Sequence, residues 1–253
     1  MTRRQFVKRG ALWVSTSALA PRIVSAAPLL VGTPQVTQDN SGIPTSSLST
    51  AGVSHTAGNL LAAFVTTSSS VVPTITVTNT AGDTFTAGTA QFRVGAGYMG
   101  QWFFAKNIAG NGSDSVTAAF SVAESFVTLH VLEYSGLDTV SPLDVDTGTG
   151  GSGTGGTLTS PAFTTSQASE VVLVGGAATG FVTFTAGAGY TLRTQDTGPV
   201  AATEDQIFAS VQTGITATMT QSGSGDWLIC VISFKATAGS GGSGRLMLLG
   251  VGD

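Results

Sequence analysis

Phe126-Val-Thr-Leu-His-Val-Leu-Glu-Tyr134 and Trp227-Leu-Ile-Cys-Val-Ile-Ser-Phe-Lys235 decide how this chain is read. Both runs are rich in β-branched and aromatic residues, and both are apolar at odd and even positions alike. A strand with one wet face alternates apolar with polar side chains. A strand without alternation has both faces covered, so these two belong at the centre of a layered β structure. Shorter runs of the same kind surround them: Asn59–Thr66, Thr74–Asn79, Thr84–Ala87, Gly100–Lys106, Ser115–Phe120, Glu170–Gly175, Tyr190–Arg193, Asp205–Val211 and Ile215–Met219. Gly, Ser, Asn and Asp turns separate them, which is the signature of strands. No window of a dozen residues has a 3.6-residue apolar period. The chain is therefore expected to be all-β, a sandwich or jelly roll of ten to eleven strands. Gly148–Gly156 reads as a linker or long loop, and Ala238–Gly244 as a second one.

The two central runs also belong to an internal repeat. Asn59-Leu-Leu-Ala-Ala-Phe-Val lines up with Glu170-Val-Val-Leu-Val-Gly-Gly, Trp102-Phe-Phe-Ala with Gln206-Ile-Phe-Ala, and Val116-Thr-Ala-Ala-Phe with Ile215-Thr-Ala-Thr-Met. This pairing sets Trp102 against Gln206, His130 against Val231, Leu129 against Cys230 and Glu133 against Phe234. Halves of about 59–136 and 170–236 are too small to bury much surface alone, so one domain, 27–237, with pseudo-two-fold character is expected.

The segments Ala57-Gly-Asn-Leu-Leu61, Ala105-Lys-Asn-Ile-Ala-Gly110, Leu132-Glu-Tyr-Ser-Gly-Leu-Asp138, Ser141-Pro-Leu-Asp144, Gly189-Tyr-Thr-Leu-Arg193 and Ala202-Thr-Glu-Asp-Gln206 resemble a family of bacterial extracellular β-sandwich modules. The resemblance covers roughly Val31 to Ala236. It implies a sandwich exposed outside the cell, in the company of adhesive or carbohydrate-related domains, and carries over no activity and no catalytic residue.

Charge is scarce and segregated. Only 9% of the 253 residues are charged, and Arg3, Arg4, Lys8, Arg9 and Arg22 all lie in the first 26, where there is no acid. Thr2-Arg3-Arg4-Gln5-Phe6-Val7-Lys8 resembles a twin-arginine export signal. An apolar stretch, Ala11–Ala20, follows, and Val24-Ser25-Ala26-Ala27 offers signal-peptidase sites after Ala26 or, second, after Ala27. Residues 1–26 are thus expected to be an export signal, with the mature protein periplasmic, secreted or on the cell surface. The remainder keeps five basic and fourteen acidic residues, a net charge of about −9. Such a body repels phosphate backbones, which excludes nucleic acid as a partner. No window is apolar over ~18 residues, so no membrane span is expected in the mature protein. The tail, residues 238–253, is a Gly/Ser linker followed by a short apolar end.

The residue types available for chemistry are few. A single cysteine, Cys230, excludes an internal disulfide and reads as a buried small hydrophobe. A Ser-His-Asp mechanism needs one of only two histidines. His130 lies mid-strand and reads as a core residue, whereas His55 is expected in solvent. Glu133, Glu204, Asp205, Asp138 and Asp144 are acids of the type a glycosidase pairs across a cleft, but their spacing places no two of them together. Asp138, Asp144 and Asp146 crowd one loop, so Ca²⁺ is possible there, against a plain turn-forming role; no other cofactor is expected. Trp102, paired with Gln206, is expected to face solvent as a stacking platform for a sugar, with Tyr98 and Tyr190 beside Gly-Ala-Gly turns as further ligand contacts. The function expected is therefore non-catalytic: an exported module binding an extracellular polysaccharide or matrix component. The alternative is a structural or adhesive surface protein with protein or self partners, and a glycoside hydrolase ranks third.

Overall fold

A computed structural model describes residues 27–68, 73–93, 97–146, 150–196, 198, 200 and 201–238. The expected export signal, with Arg3, Arg4 and Ala26, lies outside the described residues, as does the tail beyond Ala238. Among the described residues every regular element is a strand. The first half contains β1 (Leu29–Asp39), β2 (Thr45–Ser49), β3 (Val53–His55), β4 (Leu60–Ser68), β5 (Ile75–Asn79), β6 (Thr86–Ala87), β7 (Gln91–Arg93), β8 (Tyr98–Ala105), β9 (Asn111–Asp114) and β10 (Val116–Ser135). The second contains β11 (Gly151–Thr154), β12 (Thr157–Thr159), β13 (Glu170–Ala178), β14 (Phe184–Ala186), β15 (Thr191–Gln195), β16 (Ala201–Phe208), β17 (Thr218–Gln221) and β18 (Asp226–Lys235). No helix among the described residues is long and apolar enough to cross a membrane.

The strands build an antiparallel, layered sandwich. One inner sheet runs β1-β10-β4-β8-β6, with β7 also on β8; the other runs β11-β18-β13-β16-β15. Their facing sides share one core, including Leu60, Phe64, Trp102, Leu132 and Tyr134 from the first sheet and Leu173, Leu228, Cys230, Ile232 and Phe234 from the second. The outer face of each inner sheet is covered in turn. The early part of β10, with β2 and β5, packs Ile75, Val77, Val116 and Phe120 on Leu61, Val65, Leu129 and Val131. The β12-β17-β14 sheet packs Leu158, Phe184 and Met219 on Val172, Val174, Ile229 and Val231. Covered on both sides, β4, β13 and β18 are buried at nearly every position, and this is why their sequences do not alternate.

β10 ties two of these layers together. Its first residues pair with β2 and β5, and Val127 onward with β1 and β4. The change of partner falls at Phe126, whose φ of 50° is uncommon for a residue with a bulky side chain. The two runs read separately in the sequence, Ser115–Phe120 and Phe126–Tyr134, are therefore one bent strand.

The two inner sheets share a strand order, β10-β4-β8 against β18-β13-β16, but in a register different from the sequence pairing. Leu60 is opposite Tyr134, as Val171 is opposite Phe234; His130 is opposite Phe64, as Cys230 is opposite Gly175. His130 thus corresponds to Cys230, and Glu133 to Ser233, one residue from the expected match. Since side chains alternate between faces, that slip exchanges the two faces of the strand. Trp102 is opposite Phe64 and Thr203 opposite Gly175, so Trp102 corresponds to Thr203 and not to Gln206.

The Gly148–Gly156 stretch also departs from expectation. Residues 147–149 lie outside the described residues, but Gly151–Thr154 is the edge strand β11, paired with Trp227–Ile229 and Asp226 of β18. Its glycines serve close approach. A Cβ on Gly153 would stand 2.7 Å from the Trp227 ring, and one on Gly151 2.9 Å from the Thr159 carbonyl oxygen.

Candidate functional site

The strand β1 starts the site. Val31-Gly-Thr-Pro34-Gln35 breaks its ladder with β10: the register shifts between Val31 and Gln35, Gly32 takes a φ of 65°, and Pro34 has no N–H to donate. The bulge lifts β1 away from β10. β3 runs nearby, and between them lies a cleft of about 230 Å³ lined by Val31, Gly32, Thr33, Gln35, Val53, Ser54, His55, Val131 and Glu133. Pockets for drug-sized ligands begin at about 300 Å³, so this one takes a single ring or a chain end.

Three polar side chains at the cleft are fixed from behind. His55 is buried, and its Nδ1 lies 3.0 Å from Asp114 Oδ2. Asp114, fully buried on β9, also accepts from Asn79 Nδ2 at 2.7 Å, Thr80 Oγ1 at 2.8 Å and the Ala81 N–H at 3.1 Å. Burial alone would raise this carboxyl, but the donors, His55 first, outweigh it and hold it below the usual carboxylate range. Glu133 on β10 accepts at Oε1 from the Thr56 N–H at 2.8 Å and Asn59 Nδ2 at 2.5 Å. Gln35 donates Nε2 to the Ala51 carbonyl at 2.8 Å, which fixes its amide orientation and leaves a buried Oε1 with no hydrogen-bond partner among the described residues.

His55 corrects the sequence reading, which placed it in solvent. The partner that buries it, Asp114, is 59 residues away, across the β3–β9 pair, and no local pattern announces it. The Gly-Thr-Pro of β1 was the available signal, since Gly and Pro inside a strand mark a bulge or an edge.

The residues singled out in the sequence fall elsewhere. Trp102 is 1% exposed, in the core between the inner sheets, 5.0 Å from the Phe64 ring and donating Nε1–H to the Cys230 carbonyl at 3.3 Å. The solvent-facing Trp102 is therefore corrected. The expectation of exposure rests on Gln206, whereas the residue that the strand pairings set level with Trp102, Thr203, is itself buried. Tyr98 is half-buried at the start of β8, where burial and then Asp196 push its hydroxyl up to about 12. Tyr190 packs at 6.4 Å against Phe208 on the far side of the other inner sheet, and burial, followed by Glu204, raises its hydroxyl as well. These three aromatics do not meet in one place, and none lines the β1 cleft.

The three aspartates are likewise dispersed. Asp138 accepts from the Val140 and Ser141 N–H groups of its own turn. Asp144 accepts from Ser166, through N–H at 2.7 Å and Oγ at 2.5 Å. Asp146 accepts from the N–H and hydroxyl of Thr89. Each carboxylate anchors a different segment, and among the described residues no group of three or more His, Cys, Asp or Glu is arranged to hold a metal ion.

The remaining acids are separated by the sheets. Asp205 faces the shared core, accepting from Tyr134 Oη at 2.5 Å and Arg193 Nε at 2.7 Å. Glu204, its neighbour on β16, faces the opposite way, accepts from the Gly187 N–H at 2.9 Å, and is pushed up to about 7 by burial above all. Glu133 lies beyond the other inner sheet. His130 is fully buried, its Nδ1 2.9 Å from Thr194 Oγ1, and burial lowers it to about 3, so it stays neutral. Cys230 is buried at the same interface, and burial raises its thiol.

Fold and site together define an all-β sandwich with a polar cleft beside a bulged edge strand. The chain matches no family model, no curated protein and no solved structure, so the likeness to bacterial extracellular modules rests on its sequence segments alone.

Proposed function

We propose that this protein is an exported, non-catalytic binding module for an extracellular polysaccharide or matrix component, and that the cleft beside the β1 bulge is where the ligand sits. The observation that carries the reading is the make-up of that cleft: apolar Val31, Val53 and Val131 with polar Gln35, His55 and Glu133 held from behind. Apolar walls with a few fixed polar groups suit a sugar ring, which has CH faces and hydroxyl edges. Fixed side chains lose little rotamer freedom on binding. Hydrolysis is less well supported. A glycosidase needs two carboxylates flanking one bond, and among the described lining residues Glu133 is the single acid. The twin-arginine-like leader supports export.

A glycan array probed with the exported protein tests the reading. Specific signals that disappear in His55→Ala and Gln35→Ala, with melting temperature tracked alongside, uphold it. Silence on the array removes the polysaccharide reading.

One observation favours the alternative, an adhesive or self-associating surface protein. Ile43 and Phe126 are both exposed, and Gly42 lies against the Phe126 ring. A concentration-dependent rise in sedimentation coefficient, abolished by Phe126→Ser, would favour that alternative.

A further inference from the structure

The protein's own contacts use up the amide donor of Gln35 and leave acceptors on Gln35 and Glu133. His55 Nδ1 is engaged by the Asp114 carboxylate. Gln35 spends its amide nitrogen on the Ala51 carbonyl, and its buried Oε1 has no donor among the described residues. Glu133 receives both of its donors on Oε1, and no donor among the described residues reaches Oε2. The Gln35 and Glu133 orientations are each fixed by a partner that accepts only or donates only, so neither can be reversed by flipping the group. The leftover polar atoms of these two side chains are acceptors, and one of them belongs to a carboxylate.

A site whose fixed side chains leave acceptors discriminates by chemistry. A ligand carboxylate, sulfate or phosphate meets repulsion from Glu133. A neutral hydroxyl gives one hydrogen bond. A primary ammonium gives three, together with a charge opposite to Glu133. The surrounding body, with five basic and fourteen acidic residues after the leader, adds a long-range attraction for cations.

Resting on the polysaccharide reading above, we infer that the cleft is selective for an amine-bearing sugar, a hexosamine unit with a free ammonium group, whose ring lies against Val31, Val53 and Val131 and whose ammonium faces Glu133 and Gln35. N-acetylation of that unit removes the charge and two of the three donors, so acetylated and free-amine sugars are distinguished at this one position.

Glu133→Gln is the discriminating variant. Its amide oxygen can still accept from Thr56 and Asn59, while the other atom becomes a donor, reversing the polarity presented to the ligand. Thr33→Lys, at an exposed position on the cleft wall, supplies an ammonium from the protein itself and occupies the site without touching the buried hydrogen bonds. Calorimetric titrations of the full chain with glucosamine, N-acetylglucosamine and glucose tetramers should give binding to the first at least about tenfold tighter than to the other two, weakening as salt is added. Both variants should lose about tenfold or more of that binding, with an unchanged melting temperature. Equal affinity for amine and neutral tetramers, or full binding by Glu133→Gln, overturns the amine selectivity and leaves the polysaccharide reading in place. Binding of oligolysine with no binding of any tetramer overturns the sugar as the carrier of the amine, and with it the polysaccharide reading of the cleft.

Discussion

Replacing Trp102 by Ala tests the architecture at its centre. The indole is 1% exposed, stacks at a tilt 5.0 Å from Phe64 and donates to the Cys230 carbonyl of the opposite inner sheet. A buried tryptophan removes about 150–250 Å² from water, worth roughly 4–6 kcal/mol at ~25 cal/mol per Å². Alanine keeps a fraction of that area, and the carbonyl loses one donor, worth about 1 kcal/mol. Large-to-small core changes of this kind cost about 3–5 kcal/mol, out of the 5–15 kcal/mol that stabilises a typical domain. Guanidinium unfolding followed by circular dichroism should therefore show Trp102→Ala destabilised by about 4 kcal/mol, with Trp102→Phe intermediate. Indole added to the alanine variant should recover part of the loss by filling the cavity, and should leave the parent unaffected. A loss below about 1 kcal/mol, the range of surface changes, would refute the placement of Trp102 and return it to solvent.

Gly153→Val should lower the melting temperature by several degrees, because its Cβ meets the Trp227 ring at 2.7 Å; an unchanged melt would make β11 the loose linker its composition suggests. Glu204, pushed up to about 7, is favoured by folding in its neutral form, so its contribution is full below its unfolded value of ~4.5 and is lost as pH rises to about 7. Unfolding free energy should fall across that window by of order 3 kcal/mol, less in Glu204→Gln, and an identical pH profile in the variant would rule Glu204 out as the source. Asp114, held low, acts with the opposite sign: its stabilisation is present at neutral pH and disappears below about pH 4, so Asp114→Asn should be destabilised at pH 7 and lose that difference in acid; equal stabilities at pH 7 would deny the His55–Asp114 pair a structural role. Changing Arg3 and Arg4 together to Lys should stop export by the twin-arginine route, read as loss of processed protein outside the cytoplasm; unchanged yield would remove that route.

The strands were legible because burial on both faces writes itself into β4, β13 and β18 as unbroken apolar runs. Their registers were not. Apolar runs without alternation match one another equally well after a one-residue slide, so the sequence aligns His130 with Val231 although the strand pairings give it the position that Cys230 holds in the other sheet. The Trp102–Gln206 match is off by three residues, since the strand pairings set Thr203 level with Trp102. Glycines in Gly151–Thr154 mimicked a linker because composition records the missing side chain and not the Trp227 ring that occupies its place. The cleft depends on contacts such as Thr56 to Glu133 and His55 to Asp114, 77 and 59 residues apart, which no motif spacing encodes.

The core between the inner sheets is keyed in both directions: Phe64 of the first half projects toward Gly175 of the second, and Leu228 of the second projects toward Gly100 of the first. A Cβ at Gly175 would sit 2.5 Å from the Phe64 ring, and one at Gly100 2.7 Å from Leu228 Cδ1. A side chain added at either glycine would hold the two sheets apart, so this pair of bare positions, one on each half, sets the spacing of the whole sandwich.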